Sequence, residues 1–286
     1  MDKELIVILG FFSFWLGACV ASFLNVVAWR VPRGESIVSP PSHCPKCNAP
    51  IRWWQNIPIV SWLALRGRCA ACRAPISPRY IIVETIGGVL FLAAFLHFIA
   101  DGNLTYVSIA INLTLWWIWI SLMIVGSLID YDHKLLPDFV TVGGILLGVA
   151  YWTLVSLSFK NFAMEFSNPK MYLPLALSLA GLVFGFGLLW LVRFFGSMAF
   201  KREAMGMGDV FLMGAVGAMF GPFAVLVTLI LSSVFGSVVG LSAVALSKTR
   251  LGRFTEIPYG PYICMGCLVW MFWGPQLVRA YMRMMR

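Results

Sequence analysis

Long apolar runs separated by short polar segments dominate this chain. Stretches free of Asp, Glu, Lys and Arg and long enough to cross a bilayer, roughly 20 residues, run over Leu5–Trp29, Gly102–Ile129, Phe139–Phe159, Met171–Val192 and Ile257–Val278. A shorter run, Thr85–Ala100, reaches that length if its helix extends back through Glu84. Val210–Ser247 is long enough for two helices, and Gly221-Pro222 offers the turn between them. The pattern predicts an all-α polytopic membrane protein with about eight transmembrane helices.

Composition and charge sharpen this reading. Of 286 residues, 60% are hydrophobic and 12% charged, and mean hydropathy is +0.86. A soluble domain carries about 25% charged residues, so a soluble class is excluded. With the N-terminus outside, 15 of the 21 Lys and Arg fall on the inner side, eight of them between Arg30 and Arg79. Such a bias orients a membrane protein with those segments in the cytoplasm. The net charge of +9 then reflects this bias and the anionic headgroups it meets, and requires no nucleic-acid partner. The first apolar run follows an acidic segment, Asp2 to Glu4, and is followed by basic residues. That order predicts a retained first helix rather than a cleaved signal peptide, and it argues against "LGAC" at Leu16–Cys19 as a lipoprotein cleavage site.

The one extended polar region, Arg30 to Arg79, contains "HCPKCNAPIRWWQNIPIVSWLALRGRCAACRAPIS". Cys44 and Cys47 form one C-x2-C knuckle, and Cys69 and Cys72 form another. A reducing cytosol argues against disulfides. Two knuckles separated by about 20 residues have zinc-ribbon spacing, which presents four thiolates to one closed, structural Zn2+ site. The predicted organisation is a first transmembrane helix over 1–29, a cytoplasmic four-cysteine module over 30–80, and a membrane domain of about seven helices over 81–286. Cys264 and Cys267 lie in an apolar run without a second knuckle and read as packing residues. Ser22 and Asn25, three apart, share a helix face and are expected to hydrogen-bond to a neighbouring helix.

Only twelve acids occur in the chain, and three fall in "SLIDYDHKLLPD": Asp130, Asp132 and Asp138. A fourth, Asp209, stands in "GMGDVFLMGAV". The predicted topology ends the third span near Ile129 and begins the sixth near Asp209, so both sites face the cytoplasm. An ionisable group at the mouth of a span is a functional site by default. Two carboxylates brought together in a partly dry place share one proton. The ionised member can then activate water while the neutral one protonates a carbonyl or a leaving amine. Asp130 and Asp132 point in different directions on a helix. Asp130 is nearer the membrane and is the preferred partner of Asp209, with Asp132 as the alternative. Asp138, after Pro137, reads as an N-cap. Gly206 and Gly208 allow backbone with φ > 0 and close approach of a substrate strand. The competing readings are a proton- or cation-coupled transporter that uses Asp130 and Asp209 as relay groups, and a structural assembly platform. No inverted repeat supports the transporter, and the platform leaves the acid pair unexplained.

The segments "ASFLNVVAWRVPRGESIVSPPSHCPKC", "NIPIVSWLALRGRCAAC", "ISPRYIIVE", "IDYDHKLLPD" and "GMGD" occur in this order over nearly the whole chain. Together they resemble the bacterial type IV prepilin peptidases, bifunctional leader peptidase/N-methyltransferases also used by type II secretion systems. The resemblance implies an aspartic peptidase of the GxGD type in the inner membrane, with Asp130 and Asp209 at the catalytic positions. It implies prepilins and pseudopilins as partners, alongside membrane lipid. Their short basic leader is cut after a glycine at the cytoplasmic face, and S-adenosylmethionine supplies a methyl group to the new N-terminal residue, usually phenylalanine. Cys44, Cys47, Cys69 and Cys72 match the family's cysteine tetrad. No glycine-rich loop of the Rossmann type is visible. Methyl transfer is what the resemblance implies, and its site is expected in the cytoplasmic loop and adjoining helix ends, with Arg79, Tyr80 and Glu84 as candidates. The polar loop "KNFAMEFSNPK" at 160–170 is placed outside, without a role.

Overall fold

A computed structural model describes residues 2–100, 106–162, 173–201, 203, 205–246 and 258–285. Most of the 160–170 loop and the basic residues Arg202, Lys248, Arg250 and Arg253 lie outside the described residues. The helices are α1 (Lys3–Arg30), α2 (Val60–Ala64), α3 (Arg79–Ala100), α4 (Tyr106–His133), α5 (Asp138–Phe162), α6 (Leu173–Phe200), α7 (Met207–Phe220), α8 (Pro222–Leu246) and α9 (Gly260–Met284). Among the described residues there is no strand, only isolated bridges in the cysteine region. Seven of the helices, all except α2 and α7, are long and apolar enough to cross a membrane. The eighth predicted span is α7, whose 14 residues rise about 21 Å, short of a hydrocarbon layer of about 30 Å.

The chain divides into two compact units, Met1–Leu128 and Ile129–Arg286. In the first, α1 packs along α3, and the small residues Gly17 and Ala21 lie against Gly87. Small residues let helix backbones approach where lipid provides no hydrophobic drive for association. Trp117 of α4 stacks on Phe91 of α3 with ring centroids 5.2 Å apart, and its Nε1–H donates to the Phe91 carbonyl at 3.1 Å. Asn25 is buried, but its amide donates to Ala21 O of its own helix at 3.2 Å. The expected bond across to a neighbouring helix is replaced by this local one, which satisfies the amide donor without a partner helix.

In the second unit α7 is the central element and packs against α5, α6, α8 and α9. From Asp209 to Met219 every residue except Phe211 is buried. Protein rather than lipid surrounds a helix too short to span. Its C-terminal carbonyls have no partners within the helix, and neighbouring helices supply donors. Ser178 Oγ donates to Ala218 O at 2.7 Å, and Trp152 Nε1 donates to Met219 O at 2.8 Å. Gly221 has φ +82 and turns the chain directly into α8, as Gly221-Pro222 predicts.

Candidate active site

Asp130 lies in the last turn of α4 and Asp209 in the first turn of α7, and both side chains are buried. Lys134 ends α4 with φ +54, and its N–H donates to Asp130 O at 2.8 Å. This closes the helix with a left-handed residue. Gly206, with φ −66, caps α7 in extended conformation, so Asp209 is the third helical residue. Asp209 feels the charge of Asp130. The Oδ2 of Asp130 also accepts the N–H of Gly260, the first residue of α9, at 2.9 Å. Two carboxylates more than 70 residues apart in sequence are thus brought into one buried, electrostatically coupled pair.

The other acids of the motif go elsewhere. Asp132 is exposed. Asp138 is exposed in the first turn of α5, where a carboxylate complements the helix dipole. The two glycines before Asp209 differ from the expectation of positive φ: Gly206 is extended, and Gly208 is helical. Gly208 is instead required by packing. A Cβ there would lie 2.7 Å from Leu136 Cβ.

In the first unit the two cysteine knuckles are repeats of one conformation. Cys44 N–H donates to Ala49 O and Asn48 N–H to Cys44 O, at 3.0 and 2.8 Å. The equivalent bonds at Cys69 and Arg73 measure 2.8 and 3.0 Å. Bridges pair His43 with Pro50 and Arg68 with Pro75, and Asn48 and Arg73 are both left-handed. The four Sγ atoms lie within 4.8 Å of one another, with Cys44 and Cys72 3.8 Å apart. Zn–S bonds of about 2.3 Å in a tetrahedron put the sulfurs about 3.8 Å apart, so the donor set fits a structural zinc. Backbone N–H groups of Lys46 and then Cys47 pull the Cys44 thiol down to about 6. Those of Cys72 and Ala71 lower Cys69. Against the lowering pull of the Ala49 N–H, the neighbouring Cys72 thiol and burial push Cys47 up to about 11. The knuckle backbones thus favour the thiolates of Cys44 and Cys69.

Of the three methyl-donor candidates, Arg79 and Tyr80 open α3, the first half-buried and the second exposed. Glu84 is buried, and its Oε2 accepts the N–H of Ile59 at 2.7 Å. Ile59 has φ +62 and ψ −55, an uncommon backbone for a β-branched residue. Cys264 and Cys267 are buried within α9, as packing residues.

Several structural residues escaped the sequence reading. Arg30 is buried and clamps the loop after α1, donating to Ser36 O at 2.9 Å and Pro40 O at 2.7 Å. Its position first in a basic run concealed this role. Gly260 and Leu136 touch the acid pair's surroundings without any periodic signal; the glycine-proline pair at 260–261 was the only trace.

Comparison with known proteins places these features in context. The profile of the Bacterial Peptidase A24 N-terminal domain matches residues 15–98, and that of the Type IV leader peptidase family matches residues 117–241. The chain is 34% identical to a prepilin leader peptidase/N-methyltransferase of Stutzerimonas stutzeri, over 95% of this chain and 93% of that protein. It is 36% identical to one of Legionella pneumophila, over 96% and 93%. One of Myxococcus xanthus is 39% identical, over 86% of this chain and 66% of that protein. The transporter reading finds no support in these matches. No solved structure matches the chain significantly.

Proposed function

Because the chain belongs to the type IV leader peptidase family, we propose that it cleaves the leader of type IV prepilins and N-methylates the new N-terminus. The observation that carries this reading is the buried, charge-coupled pair Asp130 and Asp209 on the ends of two helices. In the proposed cleavage the two carboxylates hold one proton between them. The ionised member takes a proton from water, and the resulting hydroxide adds to the scissile carbonyl. The protonated member gives its proton to the carbonyl oxygen. Collapse of the tetrahedral gem-diol breaks the C–N bond: the carboxyl that took water's proton passes it to the leaving amine, and a diol hydroxyl gives its proton to the other carboxylate as the C=O re-forms. That restores one shared proton and leaves a free α-amine for methylation.

Substrate geometry fits a site at helix ends. A prepilin's apolar N-terminal helix lies in the bilayer while its basic leader stays in the cytosol beside anionic headgroups. Pseudopilins share this form, and the inner membrane is the setting. Asp130 and Asp209 then face the cytoplasm, where the basic Arg30–Arg79 segment also lies.

Cys44, Cys47, Cys69 and Cys72 would hold a zinc ion, which supplies a structural cross-link between the two knuckles. S-adenosylmethionine would supply the methyl group. Arg79 and Tyr80, at the accessible start of α3, present a cation and a ring suited to that donor's carboxylate and adenine. Glu84 is committed to the Ile59 N–H, and its part is to hold the module. The test is incubation of purified protein with a prepilin and S-adenosylmethionine, followed by intact-mass spectrometry. Loss of the leader and gain of one methyl group is expected. A prepilin that stays intact refutes the reading.

A further inference from the structure

We propose that Gly260 and Leu136 are positioning residues for the acid pair: the Gly260 N–H fixes Asp130, and Leu136 is a spacer seated against both Gly208 and Gly260. The inference rests on the dyad reading above. It assigns a task to two segments, "KLLP" and "YGP", that the reaction itself leaves unused.

The geometry at Gly260 is restrictive. Helix N-termini carry N–H groups without partners in the helix. In α9 the second residue is Pro261, which has no N–H. The third, Tyr262, donates back to Tyr259 O at 3.1 Å. Gly260 is therefore the donor that this turn directs at Asp130 Oδ2, 2.9 Å away. One carboxylate oxygen is held by this bond, and the proton-transfer chemistry falls to the other. A side chain at 260 would push the carboxylate out of this position: a Cβ would lie 2.7 Å from Asp130 Oδ2 and 3.2 Å from its Cγ, so the end of the Asp130 side chain would have to shift. The segment before α9 is itself anchored, since the Tyr259 hydroxyl and Ser232 Oγ are hydrogen-bonded at 2.6 Å. Any strain at 260 is thus transmitted to the carboxylate.

Leu136 joins the two halves of the pair. It stands 2.7 Å (Cβ) from the Cβ position of Gly208, next to Asp209, and 3.3 Å (Cδ1) from that of Gly260. One side chain thereby sets the separation between the backbone that carries Asp209 and the backbone that holds Asp130. Gly208 leaves the room this leucine needs, and at Gly260 the leucine is a tight neighbour beside the carboxylate.

The test uses the full-length protein in detergent and measures kcat and KM of leader cleavage, with methylation of a pre-cleaved pilin as a second activity. A misplacement of about 1 Å costs about 100-fold in rate. Gly260→Ala is accordingly expected to lower kcat by about 100-fold, with KM and methylation within about twofold of wild type. Full cleavage by Gly260→Ala, or parallel loss of cleavage and methylation, overturns the role of Gly260. For the spacer, Gly208→Ala is expected to lower kcat in the wild-type background and to cost nothing further in the Leu136→Gly background. An equal cost in both backgrounds overturns it. Asp130→Asn separates the two levels. If that variant cleaves normally the dyad reading fails, whereas an inactive Asp130→Asn beside a fully active Gly260→Ala removes only the positioning role.

Discussion

Glu84 separates a chemical from a structural role for the start of α3. Its Oε2 accepts the Ile59 N–H at 2.7 Å from a buried position, and so braces a turn in which Ile59 sits at φ +62 and the Val60 N–H closes onto Pro58 O at 2.5 Å. A hydrogen bond to a charged group contributes about 1.5–3 kcal/mol. Replacement by alanine removes it, but lets the segment at 57–60 leave a backbone conformation that itself costs about 1–3 kcal/mol. The two effects oppose and are of similar size, so Glu84→Ala should lose no more than about 2 kcal/mol net. For a chain of this size that lowers Tm by at most about 6 °C. Glu84→Gln retains a carbonyl oxygen of the same reach and should lose about half as much or less. The assay is thermal unfolding in detergent, run with metal content and methylation of a pre-cleaved pilin. The account predicts that methylation follows stability: near normal in Glu84→Gln, reduced in Glu84→Ala only as far as the fold is weakened. A Glu84→Gln protein with wild-type Tm and metal content but no methylation would refute it, because the charge would then be acting on the donor or the amine.

Three further outcomes are expected. Cys44→Ser should purify with little or no zinc where the wild type carries one ion per chain, as elemental analysis would show. Zinc binding to the metal-free protein at pH 7.5 should release fewer protons than one per cysteine. Cys44, held down to about 6, has already lost its proton there, while Cys47, pushed up to about 11, must still give one up; calorimetry in two buffers of different ionisation enthalpy measures the number. Ser178→Ala leaves the buried Ala218 carbonyl at the end of α7 without its donor. It should cost about 1–2 kcal/mol, seen as a lower Tm.

The spans were legible from apolar run length, because the bilayer sets a minimum and charged residues mark the ends. The turn at Gly221-Pro222 was legible for the same kind of reason, since a left-handed glycine before a proline stops one helix and starts the next. The short, protein-enclosed character of α7 was not legible. Where lipid and protein interior are equally apolar, hydropathy reports that a segment avoids water but not which of the two surrounds it. The same limit hid the rotation of each helix, so Asn25 could be placed on a face but not given its partner. Asp130 and Asp209 stood out because charge is rare in such a chain. Leu136 and Gly260 did not, because a leucine and a glycine are unremarkable in composition and meet only through a contact spanning 124 positions. The cysteine knuckles carried their own signal, since ligand type and spacing are local.

The most direct test of the central claim is prepilin cleavage by purified wild type, Asp130→Asn, Asp209→Asn and Asp132→Asn, each checked for an unchanged Tm. The account predicts no cleavage by the first two variants and near-normal cleavage by Asp132→Asn, whose side chain is exposed. Normal cleavage by a folded Asp130→Asn or Asp209→Asn protein would contradict it.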